Sequence, residues 1–119
     1  MNIVLGDQTV IIQPAGKLDI DSAPFLKEKI NSLPTQKDKL WVVDLTHVDF
    51  IDSAGLGCLV MTVKTARQQH CRLVLCNPQP AVKLILEITQ LEKVLTIYDS
   101  REEALGCYSE SLTNQLLVA

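Results

Sequence analysis

The sequence predicts an α/β fold in which a mixed, mostly parallel sheet of four to five strands packs with about four helices. Two apolar runs, Leu40–Leu45 and Arg72–Cys76, have the length and composition of strands that are buried on both faces. Each run is followed by a stretch whose apolar residues recur at helical spacing. Strands that alternate with helices are joined by right-handed crossovers, so most of the sheet should be parallel.

The chain opens with a predicted hairpin, which makes the sheet mixed. Ile3–Leu5 and Thr9–Gln13 are short apolar runs on either side of a Gly6-Asp7 turn. Helix one is predicted to begin after the cap residues Asp21-Ser22 and to end before Pro34. Its inward-facing residues are predicted to be Phe25, Leu26, Ile30 and Leu33.

Helix two is predicted to follow the strand Leu40–Leu45 after a loop, and to run from the region of Ser53 to about Gln69. The helical period divides its residues into two faces. The inward face contains Leu56, Leu59, Val60 and Val63. The outward face contains Gly57, Met61, Lys64 and Gln68.

The C-terminal half predicts two more helices around a last strand. Helix three opens at Asn77-Pro78, the strand covers Val94–Tyr98, and the capping box Ser100–Glu103 opens helix four. Residues 1–112 are predicted to form one domain and residues 113–119 a tail. The predicted apolar face of helix three is Val82, Leu84, Ile85, Leu86, Ile88 and Thr89, and that of helix four is Leu105, Tyr108 and Leu112.

Composition argues against several classes of protein. The net charge of the 119 residues is -3 and the basic residues are scattered, unlike a nucleic-acid-binding surface. No apolar run approaches the ~20 residues of a membrane helix, and the N-terminus lacks the basic region and cleavage site of a signal peptide. The expectation is a cytoplasmic protein that binds neither nucleic acid nor a membrane.

The four cysteines are predicted to be reduced thiols and not a redox switch. None forms a C-x-x-C pair, and neither of the two histidines has metal-ligand spacing to them. Two of them stand at opposite ends of one strand, too far apart for a disulfide. The four are Cys58, Cys71, Cys76 and Cys107.

The junction Asp52–Gly57 is the candidate functional site. Ser53 stands where helix two begins, near open N–H groups and the positive end of the helix dipole, which together receive an anion well. Gly55 and Gly57 each cost about 1 kcal/mol in a helix relative to alanine, which indicates that something approaches this backbone closely. A second interpretation is that Ser53 only caps the helix.

An enzyme is not favoured, because neither a G-x-S-x-G motif nor a P-loop is present. The carboxylates Asp19, Asp44, Asp49 and Asp52 could hold a divalent metal near the loop. Caps and turn acceptors are the simpler interpretation of the same residues. We therefore expect no catalytic residue, no metal and no cofactor.

Several motifs, in order, resemble those of STAS domains, specifically the bacterial anti-sigma-factor antagonists. Asp52–Gly57 is similar to the family's D-S-x-G-L-G motif, and Val43–Ser53 to the strand and loop that contain it. Gly16–Asp19 is similar to its G-x-L-D turn. Pro80–Val82 and Leu91–Val94 resemble its third helix and the entry to its last strand. The resemblance therefore covers nearly the whole chain.

The resemblance implies a protein that regulates by binding. Members of the family bind an anti-sigma factor, a serine kinase with a histidine-kinase-like ATP-binding fold, and thereby free the sigma factor. The kinase phosphorylates the serine that matches Ser53, and a metal-dependent serine phosphatase reverses the modification. Because Ala54 stands where many members have Ser or Thr, Ser53 is the only acceptor hydroxyl in this loop.

The expected partner surface combines the Ser53 loop with the outward stripe of helix two. A bulky residue at Gly57 should abolish binding without unfolding the chain, and phosphorylation of Ser53 should switch binding off. An alternative function is a STAS module of another assembly, such as a stressosome-like or lipid-transport complex. The expected partner-binding residues are Asp19, Asp21, Asp52, Ser53, Ala54, Gly55, Gly57, Met61 and Lys64.

Overall fold

The computed structural model of the chain describes residues 2–6, 9–33 and 40–106. The strands in these ranges are β1 (Asn2–Leu5), β2 (Thr9–Gln13), β3 (Ala15–Leu18), β4 (Leu40–Asp44), β5 (His47–Ile51), β6 (Arg72–Cys76) and β7 (Ile97–Tyr98). The helices are α1 (Ala23–Asn31), α2 (Ser53–Gln68), α3 (Pro80–Ile88) and α4 (residues 101–106). The α/β class is confirmed. The predictions for Cys107, Tyr108, Leu112 and residues 113–119 lie outside the described residues.

Five strands form the main sheet in the order β1-β2-β4-β6-β7. β1 runs antiparallel to β2, and the other neighbours are parallel, which confirms the opening hairpin and the mostly parallel sheet. Every residue of β4 is buried, as expected for a central strand that is covered on both faces.

Side chains of the main sheet alternate between two apolar layers. On β4, Trp41 and Val43 enter the larger layer, to which α1, α2 and α3 also contribute buried residues. Leu40 and Val42 enter the smaller layer on the other face, together with Ala104 of α4. The main sheet therefore separates the first three helices from the fourth.

The structure contains a second sheet that the sequence analysis did not predict. β3 and β5 pair in parallel, with Leu18 opposite Ile51. We took Gly16–Asp19 for a turn and residues 48–52 for a loop, and both interpretations are wrong. A glycine inside β3 and the exposed polar residues of β5 weaken the ordinary strand pattern.

The first helix has its predicted position but not its full predicted face. α1 begins directly after Ser22. Leu26 and Ile30 are buried, whereas Phe25 is exposed. Adjacent helical residues differ in direction by about 100°, so the residue before Leu26 points away from the core. The prediction that Phe25 faces inward is wrong.

Two boundaries in the C-terminal half differ from the prediction. Pro80, not Pro78, occupies the first turn of α3, so the cap-then-proline pattern lies two residues later than expected. The last strand contains only Ile97–Tyr98, and the 3₁₀ turn Leu91–Lys93 precedes it.

The start of α4 is as predicted. The Ser100 hydroxyl oxygen accepts a hydrogen bond from the backbone N–H of Glu103 at 3.1 Å, which is the expected contact of a capping box. Leu105 is partly buried against the smaller apolar layer. Among the described helices, none has the length and apolar composition that a membrane crossing requires.

Only one side of α3 is buried, although apolar residues surround the helix. Val82 and Leu86 are fully buried, whereas Leu84 and Ile88 are exposed, so the prediction that these two widen the inward face is wrong.

Because Leu86 is fully buried, Leu86→Ala should lower the free energy of unfolding by about 2–5 kcal/mol. Leu84→Ala, the control in the same helix, should change it by less than about 0.5 kcal/mol. Urea unfolding measures both, and equal losses would contradict this packing.

Candidate functional site

The candidate site lies where the two strands of the second sheet end side by side. Because β3 and β5 are parallel, the turn after β3 and the start of α2 meet at the same edge. The backbone N–H of Asp52 donates to the carbonyl oxygen of Leu18 at 3.2 Å. Two motifs that are distant in sequence, the G-x-L-D turn and the D-S motif, are therefore neighbours in space.

Asp52 caps α2. Its backbone is extended, with φ −113° and ψ −173°, and its Oδ1 accepts a hydrogen bond from the N–H of Gly55 at 3.0 Å. Ser53 is consequently the first residue of the helix, and its side chain is exposed. The interpretation that Ser53 itself is the cap is wrong. The cap is Asp52, and the Ser53 hydroxyl is not part of it.

Gly55 serves a contact inside the molecule. It is buried, and a Cβ at this position would overlap the carbonyl oxygen of Leu18 and lie 3.0 Å from Cγ1 of Ile51. The close approach that the glycines indicate is made at this position by the backbone of β3. Gly55 therefore supports the site from within. It does not lie on the partner surface to which the sequence analysis assigned it.

Gly57 is in the opposite situation. It is exposed, and a Cβ at this position would have no atom within 4 Å. Met61, with 50% of its surface exposed, and Lys64 continue the same side of α2, followed by Gln68. The predicted outward stripe of α2 is confirmed as an exposed face, which begins at a residue without a side chain, Gly57.

The turn between β3 and α1 is held by reciprocal hydrogen bonds. Oδ1 of Asp19 accepts from the backbone N–H groups of Asp21 and Ser22, both at 3.1 Å. The Ser22 hydroxyl accepts from the N–H of Asp19 at 2.9 Å and donates to the carbonyl of Lys17 at 2.6 Å. The carboxylate of Asp19 thus holds the turn. Asp21 is exposed just before the start of α1.

The four carboxylates considered for a metal site lie in different settings. Asp19 and Asp52 accept backbone N–H groups, and Asp49 is exposed on β5. Asp44 is buried at the end of β4, in the main sheet. Across residues 2–6, 9–33 and 40–106, no three or more His, Cys, Asp or Glu side chains are grouped in a way that would hold a metal ion.

Asp44 fixes the chain where it enters β5. Burial by itself would raise the pKa of Asp44. Hydrogen bonds from the hydroxyl and N–H of Thr46 and from the side chain of Gln13 lower it, as does the positive charge of Arg101. The net pKa lies below the ordinary value of 3.8. The carbonyl of Thr46 in turn accepts from the side chain of Gln79 at 2.9 Å. This network ties the turn before β5 to the start of α3.

Cys58, Cys71 and Cys76 are reduced thiols, as predicted. Burial raises the pKa of the Cys58 thiol, although a hydrogen bond with Thr62 and the charge of Lys27 oppose it. Burial and the negative charge of Asp44 raise the pKa of Cys76 to about 12. Neither thiol is therefore disposed to act as a nucleophilic thiolate near neutral pH.

Comparison with known proteins gives one family. Residues 1–104 match the STAS domain. An anti-sigma-B factor antagonist of Listeria monocytogenes is 33% identical over 92 residues, which are 77% of this chain and 81% of that protein. A crystal structure of a putative anti-sigma factor antagonist from Thermotoga maritima is similar with a TM-score of 0.79 and 26% identity, covering 91% and 93% of the two chains.

The fold is also found outside the antagonists. A sulfate transporter family protein from Wolinella succinogenes has a TM-score of 0.79 at 17% identity, covering 92% of each chain. At that identity the likeness shows the fold alone.

The two glycines of α2 should respond in opposite ways to the same substitution. Gly55→Ala forces a Cβ into the backbone of Leu18 and should lower the free energy of unfolding by about 1–3 kcal/mol or more. Gly57→Ala meets open space and should raise it by up to about 1 kcal/mol, because alanine is the better helix former. Thermal or urea unfolding decides. A Gly55→Ala protein as stable as the unmodified chain would contradict the close contact with β3.

The cap assignment gives a second matched pair. Asp52→Ala should lower the free energy of unfolding by about 1 kcal/mol, because it removes the acceptor for the Gly55 N–H. Ser53→Ala should change it by less than about 0.5 kcal/mol. Asp52→Asn keeps an acceptor oxygen and should be near the unmodified chain. If Ser53→Ala were the more damaging change, the cap would be assigned to the wrong residue.

Proposed function

Because the chain belongs to the STAS domain family, we propose that it is an anti-sigma factor antagonist that binds a serine-kinase anti-sigma factor through the Ser53 loop. Phosphorylation of Ser53 by that kinase then releases the complex. One observation carries the proposal: Ser53 is exposed at the first position of α2, where Asp52 already supplies the cap.

The start of α2 can accept a phosphate without loss of the fold. The N–H groups of Ser53 and Ala54 lie in the first turn, where a helix offers no carbonyl partner four residues earlier. Those donors and the dipole of a 16-residue helix favour an anion at this end. Since the Ser53 hydroxyl does not cap the helix, its modification leaves the hydrogen bond between Asp52 and Gly55 in place.

The same phosphate is unfavourable inside a complex. It adds about −1.5 to −2 charges at pH 7, directly beside the carboxylate of Asp52. A partner that packs against the Ser53 loop would have to desolvate both charges, which is costly unless each finds a positive partner. Phosphorylation should therefore weaken binding and leave the free protein folded.

The partner surface proposed here is the exposed part of the site. Gly57 offers a position that a partner can approach closely, and Met61 offers a flexible apolar contact. Asp21 presents its carboxylate at the rim, whereas Asp19 and Gly55 act by holding the turn and the helix start. The residues that a partner would contact are Asp21, Asp52, Ser53, Ala54, Gly57, Met61 and Lys64.

The chain needs no chemistry of its own in this scheme. The kinase supplies ATP and the base that takes the Ser53 proton, and a metal-dependent serine phosphatase removes the phosphate. We therefore propose a binding protein and not an enzyme, with neither cofactor nor catalytic residue. Its proposed compartment is the cytoplasm, because the kinase depends on ATP.

A STAS module of a stressosome-like or lipid-transport complex remains the alternative. The main sheet does not separate the two functions, because a sulfate transporter family protein shares the fold. The exposed Ser53 and the antagonist relatives favour a phosphorylation switch. The identity of the bound partner separates them: an ATP-binding anti-sigma kinase supports the switch, and a transport subunit supports the alternative.

The switch is tested with candidate anti-sigma kinases from the source organism, purified and incubated with the chain and ATP. Mass spectrometry should find one phosphate, on Ser53, and the modified chain should lose affinity for the kinase. Ser53→Ala should bind and resist phosphorylation, and Ser53→Asp should bind weakly. Ser32→Ala, which changes an exposed serine at the far end of α1, is the control and should be phosphorylated normally.

Two results would refute the switch. One is a phosphate on a residue other than Ser53. The other is a phosphate on Ser53 that leaves the affinity for the kinase unchanged. Circular dichroism of each variant and of the phosphorylated chain shows whether a loss of binding reflects unfolding.

A further inference from the structure

A groove runs between α1 and α2 and opens beside the Ser53 loop. Its volume is about 440 Å³. Ala54, the residue after Ser53, lines one end, and Thr65 lines the wall about three turns farther along α2. At 1.5 Å per residue this wall is roughly 17 Å long. The groove is therefore long enough to take more than one side chain.

Contacts between the two helices explain its shape. Near the Ser53 end, Sγ of Cys58 lies 3.5 Å from the carbonyl oxygen of Ala23, so the helices touch there. Beyond this contact, Ile30 and Thr62 are buried between the helices and form the floor. The side chain of Lys27 is exposed at the α1 rim. The floor is thus closed while the top is open along its length.

The lining is apolar even where it contains hydroxyl groups. The Thr62 hydroxyl donates to the carbonyl of Cys58 at 2.7 Å, and the Thr65 hydroxyl donates to the carbonyl of Met61 at 3.0 Å. Both donors are thus used within α2. A molecule in the groove would gain few hydrogen bonds from this wall, so an apolar occupant fits it best.

Two large apolar side chains flank the opening. Ile20, in the turn before α1, has 71% of its surface exposed, and Met61 on α2 has 50%. Together with the groove they form one apolar strip adjacent to Ser53. A small molecule inside the groove would contact only the parts of these side chains that line it, whereas the face of a protein helix would also cover their exposed surface.

We propose that this groove seats the apolar side of an amphipathic helix of the anti-sigma factor, with an acidic side chain of that helix against Lys27. The inference rests on the proposed function and names where that partner docks. Anchors spaced at i, i+4 and i+7 span about 10 Å of a helix, which the groove accommodates. Lys27 is the cation that lines it, so an acidic residue complements the rim.

The position of the groove connects docking with phosphorylation. Ser53 is exposed and precedes Ala54, which lines the groove, so a phosphate on Ser53 would lie next to that end of the groove. A helix seated there would bring apolar surface against that charge. The partner helix and the phosphate thus compete for the same place, so phosphorylation of Ser53 alone should weaken the docking of the helix in the groove.

The first test compares two isoleucines of nearly equal exposure. Ile20→Gln changes the rim of the groove, and Ile88→Gln changes α3, where Ile88 has 70% of its surface exposed. Calorimetry with the purified kinase that modifies Ser53 should show Ile20→Gln binding about tenfold more weakly, as expected for the loss of one buried apolar anchor. Ile88→Gln should bind like the unmodified chain. Both variants should unfold at nearly the same urea concentration as the unmodified chain.

The second test compares two lysines of α1. Lys27 lines the groove, whereas Lys29 lies on another side of the helix, near Pro14 and Phe25. Lys27→Glu should weaken kinase binding and remove part of its dependence on salt, and Lys29→Glu should change neither. The measurement is the same calorimetry at two salt concentrations.

The outcomes separate this inference from the proposed function. If the kinase binds and phosphorylates Ser53, Gly57→Leu abolishes binding, and Ile20→Gln and Lys27→Glu bind normally, then the groove proposal fails and the switch stands. If native mass spectrometry shows a small molecule held by the chain and lost in Ile20→Gln, while kinase binding is unaffected, the groove proposal is likewise overturned. If no serine kinase binds or modifies the chain, both proposals fail.

Discussion

The contact between the end of β3 and the start of α2 determines the geometry of this site. The carbonyl oxygen of Leu18 accepts the N–H of Asp52, and the Cα of Gly55 packs over the same carbonyl. No residue other than glycine fits this contact without displacing backbone. The first turn of α2 is therefore fixed against the second sheet, and Ser53 is held on a rigid element with its side chain outward.

In the proposed switch, this arrangement would place the structural role on Asp52 and the regulatory role on its neighbour Ser53. Asp52 supplies the cap, so the hydroxyl next to it can change its chemistry while the helix stays in place. The reciprocal bonds between Asp19 and Ser22 fix the neighbouring turn in the same way, and leave Asp21 exposed. A switch by charge needs such a division, because a modified residue that also capped the helix would alter the fold.

The sequence predicted the main sheet well because its inner strands β2, β4 and β6 are largely buried and have a distinctive apolar composition. It failed for β3 and β5, in which exposed and buried residues are mixed and the polar residues and glycine fit turns equally well. For the site, the motif located Ser53 and the outward stripe of α2. It could not assign the cap, because Asp and Ser are both favoured cap residues and only the backbone conformation distinguishes them. It could not assign the role of Gly55, because that role depends on Leu18, which is 34 residues before Asp52 and is brought there only by strand pairing.

The D-S-A-G-L-G motif consequently contains two kinds of information. Asp52, Gly55 and Leu56 face the rest of the molecule, as a cap, a close contact and a partly buried side chain that packs on the core. Ser53 and Gly57 face outward. The inward residues are needed by any chain that builds this junction, whatever it binds. The recognition and switching that we propose would therefore depend on the outward residues and on the surface that continues from them, along Met61 and into the groove beside α1.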